Sequence, residues 1–277
     1  MLRSKVVDHI VEWLGKRLVM SHRKGFVGGV SGGIDSAVTS TLAAMTGEPV
    51  EVLSMPINQA SDQAYRATDH INWLHKKFEN VTSQTIDLTN VLEAYTKSLP
   101  DDISELAMAN TRSRIRMATL YAIANHKQAL VLGTGNKVED HGVGFFTKYG
   151  DGGVDLSPIG GLTKTQVYDV AKYLEIIDSI QVAKPTDGLW GDNRSDEDQL
   201  GATYSQLEAA MEFCDMFEIH TVDQYELVKD QIFPKKTSPE VIRIYLERHE
   251  ASAHKMEMPP ICEIPEGFLK QDVLKSA

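Results

Sequence analysis

A strand that ends in a glycine turn and passes directly into a helix is the feature that most limits what this chain can fold into. Residues 25–30 read as a short buried strand and Ser31-Gly32-Gly33-Ile34-Asp35-Ser36 as the turn. Ala37-Val38-Thr39-Ser40-Thr41-Leu42-Ala43-Ala44 then suits a helix, closed near Gly47. The alternation continues with strands over residues 50–55, 81–86 and 129–132, and with helices over 4–19, about 62–78 and 163–174. Helical stretches also run up to about residue 125. Strands alternating with long helices are joined by right-handed crossovers, so the expected fold is α/β, a doubly wound parallel sheet flanked by helices. Ligands bind such sheets at the carboxyl ends of the strands.

The turn lies at such an end. It offers successive backbone N–H groups and the positive end of a helix dipole, and Gly32 and Gly33 let an anion come close. It is not the P-loop of nucleotide-transfer enzymes, which ends in Gly-Lys-Ser/Thr. A carboxylate at Asp35 beside bound phosphates requires a hard cation such as Mg²⁺ between the like charges. An ordinary tight turn capped by aspartate or serine is the alternative these six residues leave open.

At 277 residues the chain fits one large domain or two small ones. Apolar residues at 42% and charged residues at 24% exclude global disorder. No apolar run approaches the ~18 residues of a membrane span. The first twelve residues lack the apolar block of a secretion signal, so a cytoplasmic address is expected. Cys214 and Cys262 have no second Cys or His at zinc spacing and read as two buried small hydrophobes.

A net charge of −11 opposes a nucleic-acid coat. The charge is unevenly spread. Over residues 110–150, Arg112, Arg114, Arg116, Lys127, Lys137 and Lys148 against Glu139 and Asp140 give +4, which leaves −15 elsewhere. Helical spacing puts Arg114 on a stripe with Leu106, Leu120 and Ala124, where it needs an anionic partner, either a ligand or an internal carboxylate. Arg112 and Arg116 fall on the solvated side. Residues 133–161 hold nine of the 20 glycines, too many for a regular helix, and read as a functional loop. A second polar loop, residues 187–198, carries Asp187, Asp192, Asp196, Glu197 and Asp198 against Arg194 and is expected to move or to lie in solvent. Residues 199–254 read as mostly helical, and Pro259 and Pro260 begin an extended tail.

The hexapeptide at 31–36 resembles the pyrophosphate-binding loop of the ATP-pyrophosphatase, or adenylating amidotransferase-like, superfamily. Three further tracts narrow that resemblance. They are Gly133-Thr134-Gly135-Asn136-Lys137-Val138-Glu139 with Phe145-Phe146-Thr147-Lys148-Tyr149-Gly150-Asp151-Gly152-Gly153-Val154-Asp155-Leu156-Ser157-Pro158, then Leu162-Thr163-Lys164-Thr165-Gln166-Val167, then Lys184-Pro185-Thr186. Together they resemble ammonia-dependent NAD synthetases over about residues 27–260. The resemblance implies a single domain of the adenine nucleotide alpha hydrolase-like fold. It also implies a two-step reaction in which deamido-NAD attacks ATP to give NAD-adenylate and pyrophosphate, and ammonia then displaces AMP.

The same resemblance implies that Gly29, Val30, Ser31, Gly32, Gly33, Ile34, Asp35 and Ser36 hold ATP, with Thr134, Lys164 and Thr186. Asp35 and Glu139 would ligate Mg²⁺, and Arg114, Lys148, Asp155, His254 and Lys255 would bind deamido-NAD. Lys164 would act as a point charge on the phosphates, and Asp151 would position ammonium and help it lose a proton. For Asp151 a turn-stabilising Asx bond is the alternative. Met256, Asp187 and Asn193-Arg194 depart from residues common in the family. Phe145, Phe146 and Tyr149 either stack on a ring or pack locally. The first helix, beginning near Ser4, leaves no room ahead of it for the glutaminase domain of some members, so free ammonia is the expected nitrogen donor. A homodimer is implied, with no nucleic-acid or membrane partner. The rival readings are another adenylating enzyme of the superfamily and a non-catalytic nucleotide sensor.

Overall fold

Four short parallel strands, β1 (Phe26–Gly29), β2 (Val50–Ser54), β3 (Val81–Thr85) and β4 (Leu130–Leu132), form a sheet in the order β3-β2-β1-β4. The computed structural model describes residues 1–57, 61–186 and 195–269. The helices are α1 (Arg3–Ser21), α2 (Ile34–Ala44), α3 (Ser61–Lys77), α4 (Thr89–Thr96), α5 (Glu105–Lys127), α6 (Lys164–Tyr173) and α7 (Asp178–Gln181). They continue with α8 (Asp196–Leu200), α9 (Tyr204–Phe217), α10 (Val222–Val228), α11 (Pro239–Met256) and α12 (Glu266–Leu269), and a π-helix spans Val138–Val143.

Strands β1, β2 and β4 are buried on both faces, as a parallel sheet covered by crossover helices requires, whereas the edge strand β3 buries only Val81. Their side chains alternate with the period of two that a pleated strand imposes. Phe26, Val50, Val52, Leu130 and Leu132 pack with residues of α1, α2, α3 and α6 on one face. Val27, Leu53 and Val131 pack with residues of α4 and α5 on the other. A further apolar cluster unites the π-helix with α8, α9, α10 and α11 through Val138, Leu200, Leu207, Tyr225 and Ile242.

From β1 the chain winds outward through β2 to β3, then returns across the sheet to β4 on the opposite side of β1. The winding direction therefore reverses between β1 and β4. Such a reversal parts the loops at the strands' carboxyl ends and opens a crevice there. The turn at 31–36 and the glycine-rich loop after Leu132 both emerge at this crevice.

The element order expected from sequence is present, with four corrections. The stripe of α5 that is buried runs through Ala109, Ser113, Met117, Leu120 and Ala124. This register turns Arg114 outward, leaves Leu106 59% exposed and half-buries Arg116, so Arg116 is the α5 arginine that lines the cleft, with Arg66 of α3. The loop at 133–161 contains the π-helix. At the end of the acidic stretch Asp196 is buried, while residues 187–194 lie outside the described residues. Cys214 is buried as expected, but Cys262 is exposed because it follows Pro259-Pro260 in the tail. Among the described residues no helix is long and apolar enough to cross a membrane.

His70, on α3, is fully buried with Nε2 3.0 Å from Ser40 Oγ, and its Nδ1 has no partner among the described residues. Burial pushes its pKa down to about 4, against an ordinary value of 6.5, so the native state holds the ring neutral. Its contribution to stability is complete above pH 6.5 and is lost as the pH falls toward 4, because the unfolded chain then takes up a proton that the native core refuses. Stability should fall by about 2 kcal/mol between pH 7.5 and pH 5 from this group. Urea titrations at the two pH values would measure it. Equal pH dependence in His70→Gln would refute it.

Candidate active site

The turn after β1 needs glycine at position 32 for two reasons. Gly32 has φ +86°, and a Cβ there would come within 2.5 Å of the Gln63 carbonyl oxygen. Arg66 Nε donates to the Gly32 carbonyl at 3.3 Å, tying α3 to the turn. Within the turn, Ser36 Oγ accepts from the Ser31 N–H and donates to the Gly33 carbonyl. Gly33 caps α2 with no side-chain bond to the first-turn N–H groups, so these remain available to an anion.

Lys164 is the first residue of α6, a position the helix dipole disfavours for a cation. Two carboxylates hold it there. Its Nζ lies 2.7 Å from Asp35 Oδ2 and 2.9 Å from Glu139 Oε1, and the residue is only 3% exposed. Burial opposes its charge, but Asp35 and Glu139 overcome that and keep the ammonium protonated. A Thr163–Gln166 capping box fixes the helix start that presents Lys164. Asn136 Nδ2 donates to the other oxygen of Asp35 at 3.2 Å. Tyr204 Oη, 2.5 Å from Glu139 Oε1 and 3.2 Å from Asp196 Oδ2, links α9 and α8 to the same group. Burial and then Glu139 push the Tyr204 hydroxyl pKa upward, so it remains a donor.

Asp151 stands in the turn after Gly150. Its Oδ1 accepts from Ser113 Oγ at 2.6 Å and from the Thr147 N–H at 3.0 Å, while its own N–H donates to Ser113 Oγ at 2.9 Å. These bonds reach back to Thr147 and across to α5, unlike the Asx-type turn bond to a following N–H that was the alternative, and Oδ2 has no hydrogen bond among the described residues. The residue exposes surface to the cleft, yet dense protein around it raises its carboxyl pKa, with the Ser113 and Thr147 donors opposing.

A single cleft gathers these groups. The sequence-predicted residues Gly29, Val30, Ser31, Gly32, Gly33, Ile34, Asp35, Ser36, Thr134, Glu139, Asp151, Lys164 and Thr186 all line it. A family model for NAD synthase matches residues 6–259. The chain belongs to the NAD synthase family. It is 36% identical over 269 residues to an NH(3)-dependent NAD(+) synthetase of Alkaliphilus metalliredigens, covering 93% of this chain and 98% of the relative. An NH(3)-dependent NAD(+) synthetase of Methanosarcina acetivorans is 34% identical, at 94% and 98% coverage. Among solved structures, an NMN synthetase from Francisella tularensis superposes with a TM-score of 0.80 at 29% identity, covering 95% of this chain and all of that one. The NH3-dependent NAD synthetase from Campylobacter jejuni gives 0.75 at 26%, with the same coverage. The doubly wound fold expected from sequence is therefore the fold of this family.

The residues expected to bind the dinucleotide are not among those lining this cleft. Arg114 Nε donates to the Lys148 carbonyl at 3.2 Å, and Lys148 Nζ donates to the His254 carbonyl. Lys255 Nζ donates to the carbonyls of Gly144 and Phe146. These four residues thus join the end of α11 to the glycine-rich loop. Asp155 sits apart, accepting from Tyr121 Oη at 3.1 Å and the Val131 N–H at 2.8 Å. Sequence reasoning missed Ser113, Asn136, Tyr204 and Asp196 as site residues. Asn136 and Ser113 stood within or beside the motifs, whereas no local pattern marks Tyr204 or Asp196.

Proposed function

We propose that this chain catalyses the ATP-dependent amidation of deamido-NAD to NAD with ammonia, through NAD-adenylate, releasing AMP and pyrophosphate. It is then a ligase that forms a carbon–nitrogen bond. The observation that carries the reading is the meeting of the anion-binding turn, the Asp35–Lys164–Glu139 group and Asp151 in one cleft of an NAD synthase chain. A carboxylate is a poor acyl donor, and adenylation gives its carbonyl a good leaving group. The nicotinate oxygen attacks the α-phosphorus of ATP as the bond to the β-phosphate breaks. Ammonia nitrogen then attacks the carbonyl carbon, and AMP departs with the original carboxyl oxygen.

In this reading the N–H groups of the turn and of the α2 N-terminus hold the phosphates, with Thr134 and Thr186 beside the nucleotide. Lys164 supplies a fixed positive charge that needs no reorganisation during reaction. Asp35 and Glu139 are two hard oxygen donors beside the turn, and they fit Mg²⁺, which takes one or two carboxylates and completes its octahedron with waters and phosphates. When bound, the ion would neutralise charge on the departing pyrophosphate. Asp151 Oδ2 receives ammonium and takes its proton before attack. Arg114, Lys148, Asp155, His254 and Lys255 are assigned to deamido-NAD, through a homodimer in the cytoplasm, with the whole chain as one synthetase domain using free ammonia.

A second reading, formation of the mononucleotide NMN, is favoured by the solved structure named NMN synthetase. The test mixes the protein with ATP, Mg²⁺ and deamido-NAD, and adds ammonium or glutamine. NAD and AMP should appear in equal amounts with ammonium. Their absence there sinks the main reading. Faster turnover in a parallel arm with nicotinate mononucleotide would favour the second.

A further inference from the structure

Arg66, on α3, lies outside the tracts that carry the family resemblance, yet it lines the cleft. There α3 rests directly on the phosphate turn. A Cβ at Gly32 would come within 2.5 Å of the Gln63 carbonyl oxygen, 3.0 Å of the Ala67 nitrogen and 3.2 Å of the Arg66 Cβ, so the helix is pressed onto the glycine. The guanidinium is held at two of its nitrogens. Nε donates to the Gly32 carbonyl at 3.3 Å and Nη1 to Asp62 Oδ2 at 2.9 Å, while Nη2 makes no hydrogen bond among the described residues. The Arg66 side chain is only 18% exposed, whereas that of Asp62 is 68% exposed. Ion pairs with so exposed a partner contribute little, so Asp62 orients the fork without neutralising it. A mostly enclosed donor left unsatisfied is costly unless a ligand accepts from it.

That ligand must be an anion, and it must share the turn. The other cations lining the cleft are Arg116, Lys164 and Lys184. Asp35 and Glu139 offset the charge of Lys164, Arg116 Nε donates to the Met55 carbonyl at 3.0 Å, and Lys184 is exposed. Asp140, Asp151 and Asp196 add negative charge to the same cleft, so a polyphosphate entering it depends on every cation aimed at the turn. A guanidinium presents its N–H groups in a plane that matches phosphate oxygens, which an ammonium does not. We infer that Arg66 binds the pyrophosphate half of ATP, Nη2 donating to the phosphoryl oxygens seated on the turn. When the bond between the α- and β-phosphates breaks, the same contact holds the departing pyrophosphate. Because Nε is anchored on Gly32, grip and turn form one preorganised unit and little side-chain freedom is lost on binding. The inference rests on the amidation reading above.

The test is calorimetric titration of pyrophosphate with Mg²⁺ into the unmodified protein, Arg66→Gln and Arg66→Lys, with AMP titrated in parallel. Pyrophosphate affinity should fall about tenfold or more in Arg66→Gln, as the loss of a charge-assisted hydrogen bond requires, while AMP affinity stays within about twofold. Arg66→Lys, which keeps the charge and loses the fork, should fall between the two. In steady-state kinetics the ATP KM should rise with the loss of pyrophosphate affinity and the ammonium KM should not. Pyrophosphate affinity within about twofold of the unmodified protein in Arg66→Gln would overturn the inference. So would a parallel loss for AMP or a parallel rise in the ammonium KM, either of which would show that Arg66 only braces α3 against the turn. If Arg66→Gln does not fold, as judged by circular dichroism, Arg66→Lys decides, a weakening of about threefold or more supporting the inference and a smaller one overturning it. An unmodified protein that makes no amide with ammonium would instead overturn the amidation reading, and the pyrophosphate titration would still decide for or against Arg66.

Discussion

Lys164→Met should abolish NAD formation and destabilise the fold by about 3–5 kcal/mol, the usual cost of removing one partner from a buried charged group. The lysine is almost wholly enclosed, and its ammonium is the common partner of Asp35 and Glu139. Methionine keeps roughly the length and packing of the side chain, including its place over the Tyr204 ring, 4.7 Å from the centroid in the native protein. What it removes is the charge. Two carboxylates then face each other with Asn136 and Tyr204 as their neutral side-chain donors among the described residues. In a chain of this size the melting temperature should drop by about 6–15 °C. Activity should fall by a factor on the order of 10³ or more, because a preorganised charge at the phosphates is lost. A melting curve within about 2 °C of the unmodified protein would show that the trio does not hold the cleft together. Normal pyrophosphate release would show that Lys164 does not act on ATP.

Asp151→Asn separates the two half-reactions. Asparagine retains an oxygen to accept from Ser113 and the Thr147 N–H, so the turn and the cleft wall are preserved. It cannot take a proton from ammonium. Adenylation, which needs only ATP and the nicotinate carboxylate, should continue within a few-fold, while amidation slows by about 10²–10⁴, the range lost with a general base. Rapid-quench measurements should then show one equivalent of pyrophosphate released per site, followed by slow NAD formation. If pyrophosphate release and NAD formation decline together, Asp151 holds the architecture through its turn bonds and does not handle ammonia.

The doubly wound parallel sheet was legible because strands alternating with long crossover helices leave few topologies. The phosphate turn was legible because glycines at 32 and 33 and a following helix are local, and local chemistry is carried by neighbouring residues. The face of α5 was less so. Its apolar residues lie on several sides, and a stripe drawn through Leu106 and Arg114 differs by one position from the buried line through Ser113 and Met117. Only contact with the sheet and with Asp151 selects between them.

The sequence by itself determined the alternation of strands and helices and the glycine turn, and its resemblance to a family singled out Asp35, Glu139, Asp151 and Lys164, which the structure gathers along one cleft. Tertiary structure alone decided that Lys164 binds the two carboxylates, 129 and 25 positions away, and that Tyr204 reaches back 65 positions to Glu139. It also decided that Asp140, in the π-helix, lines the cleft beside Glu139. The physical reason is that buried charges must be neutralised by whatever groups the packed elements bring within about 3 Å, and that pairing belongs to the packing of helices on the sheet, which no single stretch of sequence records.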